Sequence, residues 1–284
     1  MPNRAHPLPV AFALVATLWL SGCEQLVYKP KGTSPLAPLE LTDDGVELEV
    51  VYIRFPVGDA EMNGALWNDV DEQSLPAATR AELAANGLRA GVIGGETPAI
   101  LARRLAAAED HSTPAVAAAK LESEPAVRRS RLQMHRGRPG NIIASPVYDQ
   151  LSPLIRDDGQ LGGKTYRQAQ GDFIIDVDPQ PDRNVTLSLL PELQYGEARQ
   201  KYVADDGVIR MQSAKPKRTF DKLKLTATLA PDQMLLITSL PERPGSLGHY
   251  FFTEPKSGHL DQKLLVIRLA ETKYNDLFVR VTGK

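Results

Sequence analysis

The side chains of this 284-residue chain that could do chemistry are a single cysteine, five histidines, one serine between glycines and a few acidic and basic clusters. Gly245-Ser246-Leu247-Gly248 is one residue short of the G-x-S-x-G elbow that presents a nucleophilic serine. With Pro241 and Pro244 beside it, the stretch reads as a loop that precedes no helix. Gly91-Val92-Ile93-Gly94-Gly95 stands between a strand and a helix, where backbone N–H groups could hold a phosphate. It lacks G-x-G-x-x-G and a distal acid, so it reads as a tight turn. His249 and His259 lie on either side of Glu254, with Asp261 beyond, but their spacing is no metal signature. Asp205-Asp206-Gly207 lacks the remaining ligands of a calcium loop. Asp69, Asp71 and Glu72 could pair for acid–base work, yet acids near a helix end more often form a solvated face. Lys215, Lys217, Arg218, Lys222 and Lys224 could meet phospholipid head groups or an acidic partner. A charged strand edge that resists aggregation is the plainer reading. These patterns assign no catalytic residue, no metal and no cofactor.

The cysteine is more informative. Arg4 and His6 make a short polar start, and Pro7 to Leu20 is an apolar run of secretory length, too short for a comfortable membrane span. Leu20, Ser21, Gly22 and Cys23 then match the bacterial lipobox at every position. Small residues fit the signal peptidase pocket, and the thiol takes a diacylglyceryl group before cleavage. The expectation is a signal peptide over 1–22 and a covalent lipid on Cys23. An ordinary signal peptide or a buried free cysteine are the alternatives; they leave unexplained why the only cysteine ends the only long apolar run. Cleavage would remove Arg4 and no acid, moving the formal charge from −2 to −3. Three acyl chains exceed what stable anchoring needs. Glu24 follows the cysteine in place of the aspartate that commonly retains such proteins at the inner membrane, which points to the outer membrane.

The single cysteine excludes a disulfide framework and a cysteine-based zinc cluster. A hydrophobic content of 42% and a charged content of 24% allow an ordinary globular core. The near-neutral charge argues against a nucleic-acid surface.

Several elements would have to position these side chains. Residues 23–45, with Pro30, Pro35 and Pro38, read as a lipidated tether, or as an arm docked through Leu36, Leu39 and Leu41. Val46 to Phe55 alternates as a strand. Asp59 opens a helix over Ala60 to Val70, and Pro76 starts another that Asn86-Gly87 ends. Leu88 to Ile93 is a strand, and Thr97-Pro98 starts a helix to about Ala108. This β-α-α-β-α order predicts a small α/β module over 46–108, with its sheet covered on one face. Residues 109–130 read as a linker. From 131 to 284 strands dominate: Arg131 to His135, Asn141 to Ala144, then alternating runs between Gly171 and Ala270, with Leu277 to Val281 as a further short strand.

Two of these runs carry a resemblance. GDFIIDVDPQPDRNVTLSLLPEL and FDKLKLTATLAPDQMLLITSLPE resemble the β-domain of the secretins, the outer-membrane rings of bacterial secretion and pilus systems. The first has a glycine, an alternating strand, a proline turn and a second alternating strand. The second keeps part of the turn at Asp232-Gln233, while Ser239-Leu240 replaces the usual glycines. The resemblance implies shared β topology more than a pore. QYGEARQKYVADDG cannot present a lipid face where secretins cross the membrane.

The expected fold class is α+β: a small N-terminal α/β module followed by a β-rich, secretin-like sheet or sandwich domain. The expected function is that of a non-enzymatic, lipid-anchored periplasmic lipoprotein, a structural or interaction component of an envelope assembly of the secretion or pilus kind. Its partners are the membrane and such envelope components, and no nucleic acid. Tyr250, Phe251 and Phe252 make a candidate partner surface, since aromatics are enriched at interface cores, although a buried strand would use them too. A binding module for a small ligand or glycan is the first alternative and would need a deep pocket lined by Trp67 and polar groups. A hydrolase is the second and would need His249 or His135 within reach of a serine.

Overall fold

The first strand, β1 (Gly45–Pro56), carries Val46, Leu48 and Val50 on one side and Val51, Ile53 and Phe55 on the other, and both rows are buried. A strand of this kind must be covered on both faces. The computed structural model describes residues 44–110, 126–205, 208–256 and 258–274. Cys23, its lipobox, the tether and the short strand expected over 277–281 lie outside the described residues.

After β1 come helix α1 (Ala60–Asn63), a 3-10 turn (Ala65–Asn68), a second 3-10 turn (Glu72–Ser74), helix α2 (Ala77–Ala85), strand β2 (Leu88–Ile93) and helix α3 (Ala99–Asp110). The helix expected over 60–70 is therefore two short pieces. Asp59 caps the first by accepting from the Glu61 and Met62 amides, and Gly64 ends it. The Trp67 indole then donates to the Met62 carbonyl at 3.1 Å, which holds the second piece against the first. Strands follow: β3 (Val127–His135), β4 (Gly140–Ile143), β5 (Tyr148–Leu151), β6 (Leu154–Asp157), β7 (Gln160–Gly163), β8 (Tyr166–Pro179) and β9 (Val185–Gln194). Next are β10 (Arg199–Asp205), β11 (Val208–Ala214), β12 (Lys217–Thr219), β13 (Leu225–Leu229) and β14 (Met234–Ser239). Helix α4 (Leu247–Phe252), β15 (Thr253–Lys256) and β16 (His259–Thr272) complete the described elements.

The fold is α+β and dominated by antiparallel sheets. One six-stranded sheet has the order β2-β14-β16-β1-β3, with β15 added beside β16. A second has the order β12-β9-β8-β4, with β13 also on β9 and β5 on β8. Both meet through one apolar interior. Val46, Leu48, Val50, Leu235, Ile237, Leu265, Ile267 and Leu269 of the first sheet pack with Phe173, Ile175, Val177, Leu187, Leu189 and Leu225 of the second. The first sheet's other face, with Val51, Ile53, Phe55, Leu236, Leu264 and Val266, is covered by Met62, Leu66, Trp67 and Leu101 from α1, the 3-10 turn and α3. The order is thus helices, sheet, sheet.

This sheet order corrects the expected separation of a 46–108 module from a 131–284 domain. β1 and β2 are not neighbours: β14 and β16 lie between them, and β1 pairs with β16 from Val46 to Pro56. The described residues belong to one compact unit. The reason is in the strands. The MLLITS and KLLVIRL runs of β14 and β16 are apolar on both faces, so they occupy the middle of a sheet and take β1 and β2 to their flanks. The polar stretch after Leu193 forms the β10–β11 ribbon, which pairs only with itself among the described strands.

Candidate functional site

Helix α4 disposes of two expectations together. Ser246 caps it, its Oγ accepting from the His249 amide at 3.2 Å, so Gly245 to Gly248 does precede a helix. The serine's role there is a helix cap. Gly248 is fixed by packing: a Cβ at this position would stand 2.0 Å from the Gly87 carbonyl oxygen. The His249 ring Nδ1 lies 3.3 Å from the Thr253 hydroxyl, which is itself 2.7 Å from the His249 carbonyl. The ring therefore meets a threonine that already bonds back to its own turn, and burial lowers its pKa. His259 Nε2 lies 3.2 Å from Asp261, and no group of three metal-ligating side chains occurs among the described residues.

Tyr250, Phe251 and Phe252 do not form a surface, which corrects that expectation. Phe251 and Phe252 are fully buried. Phe251 packs edge-on against Phe173 at 5.6 Å and over Gly171, where a Cβ would come within 2.5 Å of its ring. Tyr250 is half-buried and meets Tyr148 edge-on at 5.8 Å. The physical reason is helical spacing. Once Ser246 starts a turn, Leu247, Phe251 and Phe252 share the stripe facing the sandwich. Trp67 is also in the core, under the Arg89 guanidinium at 4.1 Å, and is not among the residues that line the cavity between Tyr52 and Lys263.

The basic run after Ala214 is divided among acids. Lys217 pairs with the buried Glu192 at 2.8 Å, and Lys222 with Asp157 at 2.8 Å and with Asp158. Arg218 donates to the Tyr166 hydroxyl and lies over the Phe220 ring at 5.2 Å. Gly91 to Ile93 belong to β2, so the glycine-rich stretch there is strand before it is turn.

A cavity of about 600 Å³ lies between residues of the two sheets, lined by Tyr52, Arg54, Arg128, Ser145, Glu254 and Lys263, among others. Its side chains continue the inward rows of β1 and β16. Val46, Leu48 and Val50 give way to Tyr52 and Arg54, while Leu269, Ile267 and Leu265 give way to Lys263. Register places Arg54 opposite Lys263. Both cations share one carboxylate: Lys263 Nζ is 2.5 Å from Glu254 Oε1, and Arg54 is 3.2 Å from Oε2. Lys263 also donates to the Ala144 carbonyl at 2.8 Å. These side chains are only 9% (Lys263), 15% (Arg54) and 20% (Glu254) exposed, so their charges interact through a medium much less polar than water. Tyr52 donates to the Ile143 carbonyl at 2.7 Å, and burial, with Asp172 nearby, pushes its phenol far up, so it stays neutral. Ser145 is buried, its Oγ accepting from the Gly171 amide at 2.7 Å. Ala126, Ile143, Ala144 and Pro146 supply an apolar rim.

The arrangement can bind and hold charge. Among the described residues its lining brings no serine together with a histidine, and Glu254 is shared by two cations. Sequence reading passed over this site because its groups come from five separated segments. The signal it carried was parity: Arg54 and Lys263 fall on the inward rows of strands otherwise filled with aliphatics.

No helix among the described residues is long and apolar enough to cross a membrane. Neither a protein-family model nor a curated protein matches the chain.

Proposed function

We propose that the chain is an envelope lipoprotein, anchored through lipid on Cys23 at the outer membrane and facing the periplasm. In this reading it is a non-enzymatic structural or interaction component of a secretion- or pilus-like assembly. The observation that supports the interaction role is β3. It is the outer strand of the six-stranded sheet, paired with β1 from Val127 to His135 and, among the described residues, with no strand on its other side. An open edge of that length can take a strand from a partner. Its exposed Arg128, Arg129 and Arg131 suit an acidic segment and oppose pairing between two copies of the same edge. The lipobox supports the anchor, and the secretin resemblance of β8–β9 and β13–β14 supports the class of assembly.

The test is crosslinking in native membranes with a Cys23→Ser form as control, joined to metabolic labelling with palmitate. The expected result is label on the wild type alone and an envelope component that co-purifies with it and is lost from the control. An unlabelled wild type defeats the anchor. A labelled protein that crosslinks to nothing defeats the assembly role.

A further inference from the structure

We infer that the outer edge of β7 binds the free C-terminus of an extended protein segment, which adds to it as a parallel strand. This goes beyond the anchoring and partner reading and stands without it. The first ground is the backbone. β6 is fastened on the side away from β7, where the Leu154 amide donates to the Gly245 carbonyl at 2.8 Å. Asn86 bonds Arg156 twice on the same side. Its side-chain oxygen accepts from the Arg156 amide at 2.8 Å, and its Nδ2 donates to the Arg156 carbonyl at 3.0 Å. Antiparallel strands alternate the direction of their backbone groups, so β6 turns Ile155 and Asp157 towards β7, opposite Gly162 and Gln160. Leu161 and Gly163 then turn their N–H and C=O groups to the outer edge. Among the described residues no strand pairs with that side. Asn86 is fully buried, so the hairpin that carries this edge is fixed in place before anything binds.

The second ground is the placement of charge, which sets the direction of the segment. A cavity of about 550 Å³ runs along β7, lined by all four of its residues and by Lys164 and Arg218, among others. Where β7 begins, Asp157 and Asp158 are taken up by Lys222. Past its end two cations meet at Tyr166: Lys164 lies over the ring at 5.5 Å, and Arg218 donates to the hydroxyl. Lys164 is exposed and Arg218 half-buried, and among the described residues neither forms an ion pair. A segment paired parallel to β7 brings its last residue level with Gly163 and its terminal carboxylate to these two groups. The reverse direction would put that carboxylate beside Asp157 and Asp158.

The third ground is side-chain fit. Leu161 is 58% and Leu154 46% exposed, and their register, opposite Arg156 and Gly163, puts both on one face of the hairpin. A Cβ at Gly163 would stand 3.7 Å from Leu154 Cδ2, so the glycine leaves Leu154 uncovered on that side. The last residue of the segment, beside Gly163, covers Leu154, and the residue two before it covers Leu161. The residue between them points to the opposite face, over Gly162, where nothing stands within 4 Å of a Cβ. The ligand is therefore a chain end with apolar residues at its last and third-last positions and a free carboxylate.

The experiment is calorimetric titration of the full chain in neutral detergent with an acetylated hexapeptide ending in Val-Ser-Val, as the free acid and as the C-terminal amide. The free acid is also titrated into Leu161→Pro, Lys164→Gln and Arg131→Gln. Proline at 161 removes one outward N–H and leaves the bonds to β6 in place. Lys164 is exposed, so its replacement leaves the fold intact and the result readable. Arg131 is on another strand, 81% exposed and paired with Glu47, so it controls for diffuse surface charge. Saturable binding of the free acid is expected, about tenfold weaker for the amide and in Lys164→Gln, and lost in Leu161→Pro. Arg131→Gln should leave it unchanged. No saturable binding of the free acid, equal binding of acid and amide, or full affinity in Leu161→Pro overturns the inference. Equal weakening by Lys164→Gln and Arg131→Gln overturns it too.

Discussion

The apolar interior of the sandwich and the polar cavity beside it are built from the same strands in the same register. On the inward row of β1, Val46, Leu48 and Val50 are at most 3% exposed, and the next two inward positions are Tyr52 and Arg54. On β16, Leu269, Ile267 and Leu265 are fully buried, and the next is Lys263. Nothing in the backbone changes at this step. What changes is the opposing layer: β8 covers the aliphatic row, whereas beyond it the wall is the Ala144–Pro146 segment and β15. One region holds the sheets together by apolar contact, and the other places charged side chains between them. Cohesion in the first rests on area removed from water. In the second it rests on one carboxylate shared by two cations.

Substitutions can break this contrast. The largest effect is expected from Phe251→Ala, because the ring fills the space over Gly171 and against Phe173. Loss of a fully buried phenylalanine costs about 3–5 kcal/mol, read as a fall in the urea midpoint at unchanged slope. An exposed partner surface would instead give almost no loss of stability, so the same measurement checks that the Phe251 ring is buried. Glu254→Gln comes next. It keeps the shape but removes the carboxylate charge that Arg54 and Lys263 share. Complete burial would make such a break worth about 3–5 kcal/mol, and partial exposure reduces the expected cost to about 2 kcal/mol. If Glu254→Gln costs nothing, the cations do not depend on the carboxylate and the cavity is solvated like ordinary surface.

Much of the interior was legible in sequence, and the cavity was not, for one physical reason. Period-two alternation marks which residues share a face, so β1, β8, β9, β13 and the core rows of β16 follow from the chain itself. It does not say which strands pair. β14 and β16 entered between β1 and β2, which joined two segments that local pattern alone separates. Ser246 is a similar case. A serine after glycine and before an apolar stretch is a helix cap when the next turn can bury Leu247, Phe251 and Phe252, and a loop when it cannot. Only the sandwich surface decides. The cavity required Arg54, Arg128, Ser145, Glu254 and Lys263 to be brought together from distant segments, which no spacing in the chain encodes.

Two partly desolvated titratable groups, Asp172 and His249, should give the protein a pH response that its aliphatic region lacks. Asp172 is buried on the outer face of β8, across from Glu192. Burial raises its pKa against the opposing help of Asn141 and Gln194, which donate to Oδ2 at 3.2 and 2.6 Å. A carboxyl whose folded pKa is raised stabilises the fold below its unfolded pKa, and that stability is lost as pH rises through the folded value. Asp172→Asn can still accept both amide bonds. It is expected to gain about 1 kcal/mol at pH 7 and nothing below about pH 4, as measured by denaturant titration at both pH values.

His249 works in the opposite sense and more weakly. Desolvation alone lowers its pKa, so its folded form prefers the neutral ring. Below the unfolded value of about 6.5 the unfolded chain binds the proton first, and stability falls as pH drops through that point towards the folded pKa. The ring is only half-buried, so the effect should stay below about 1 kcal/mol. Thermal unfolding of wild type and His249→Gln at pH 7.5 and pH 5.0 separates this from the carboxylates. The wild type should lose more between the two than the variant does. Equal losses would mean that the ring is solvated enough to titrate freely, and that α4 seals the sandwich only along its Phe251 and Phe252 stripe.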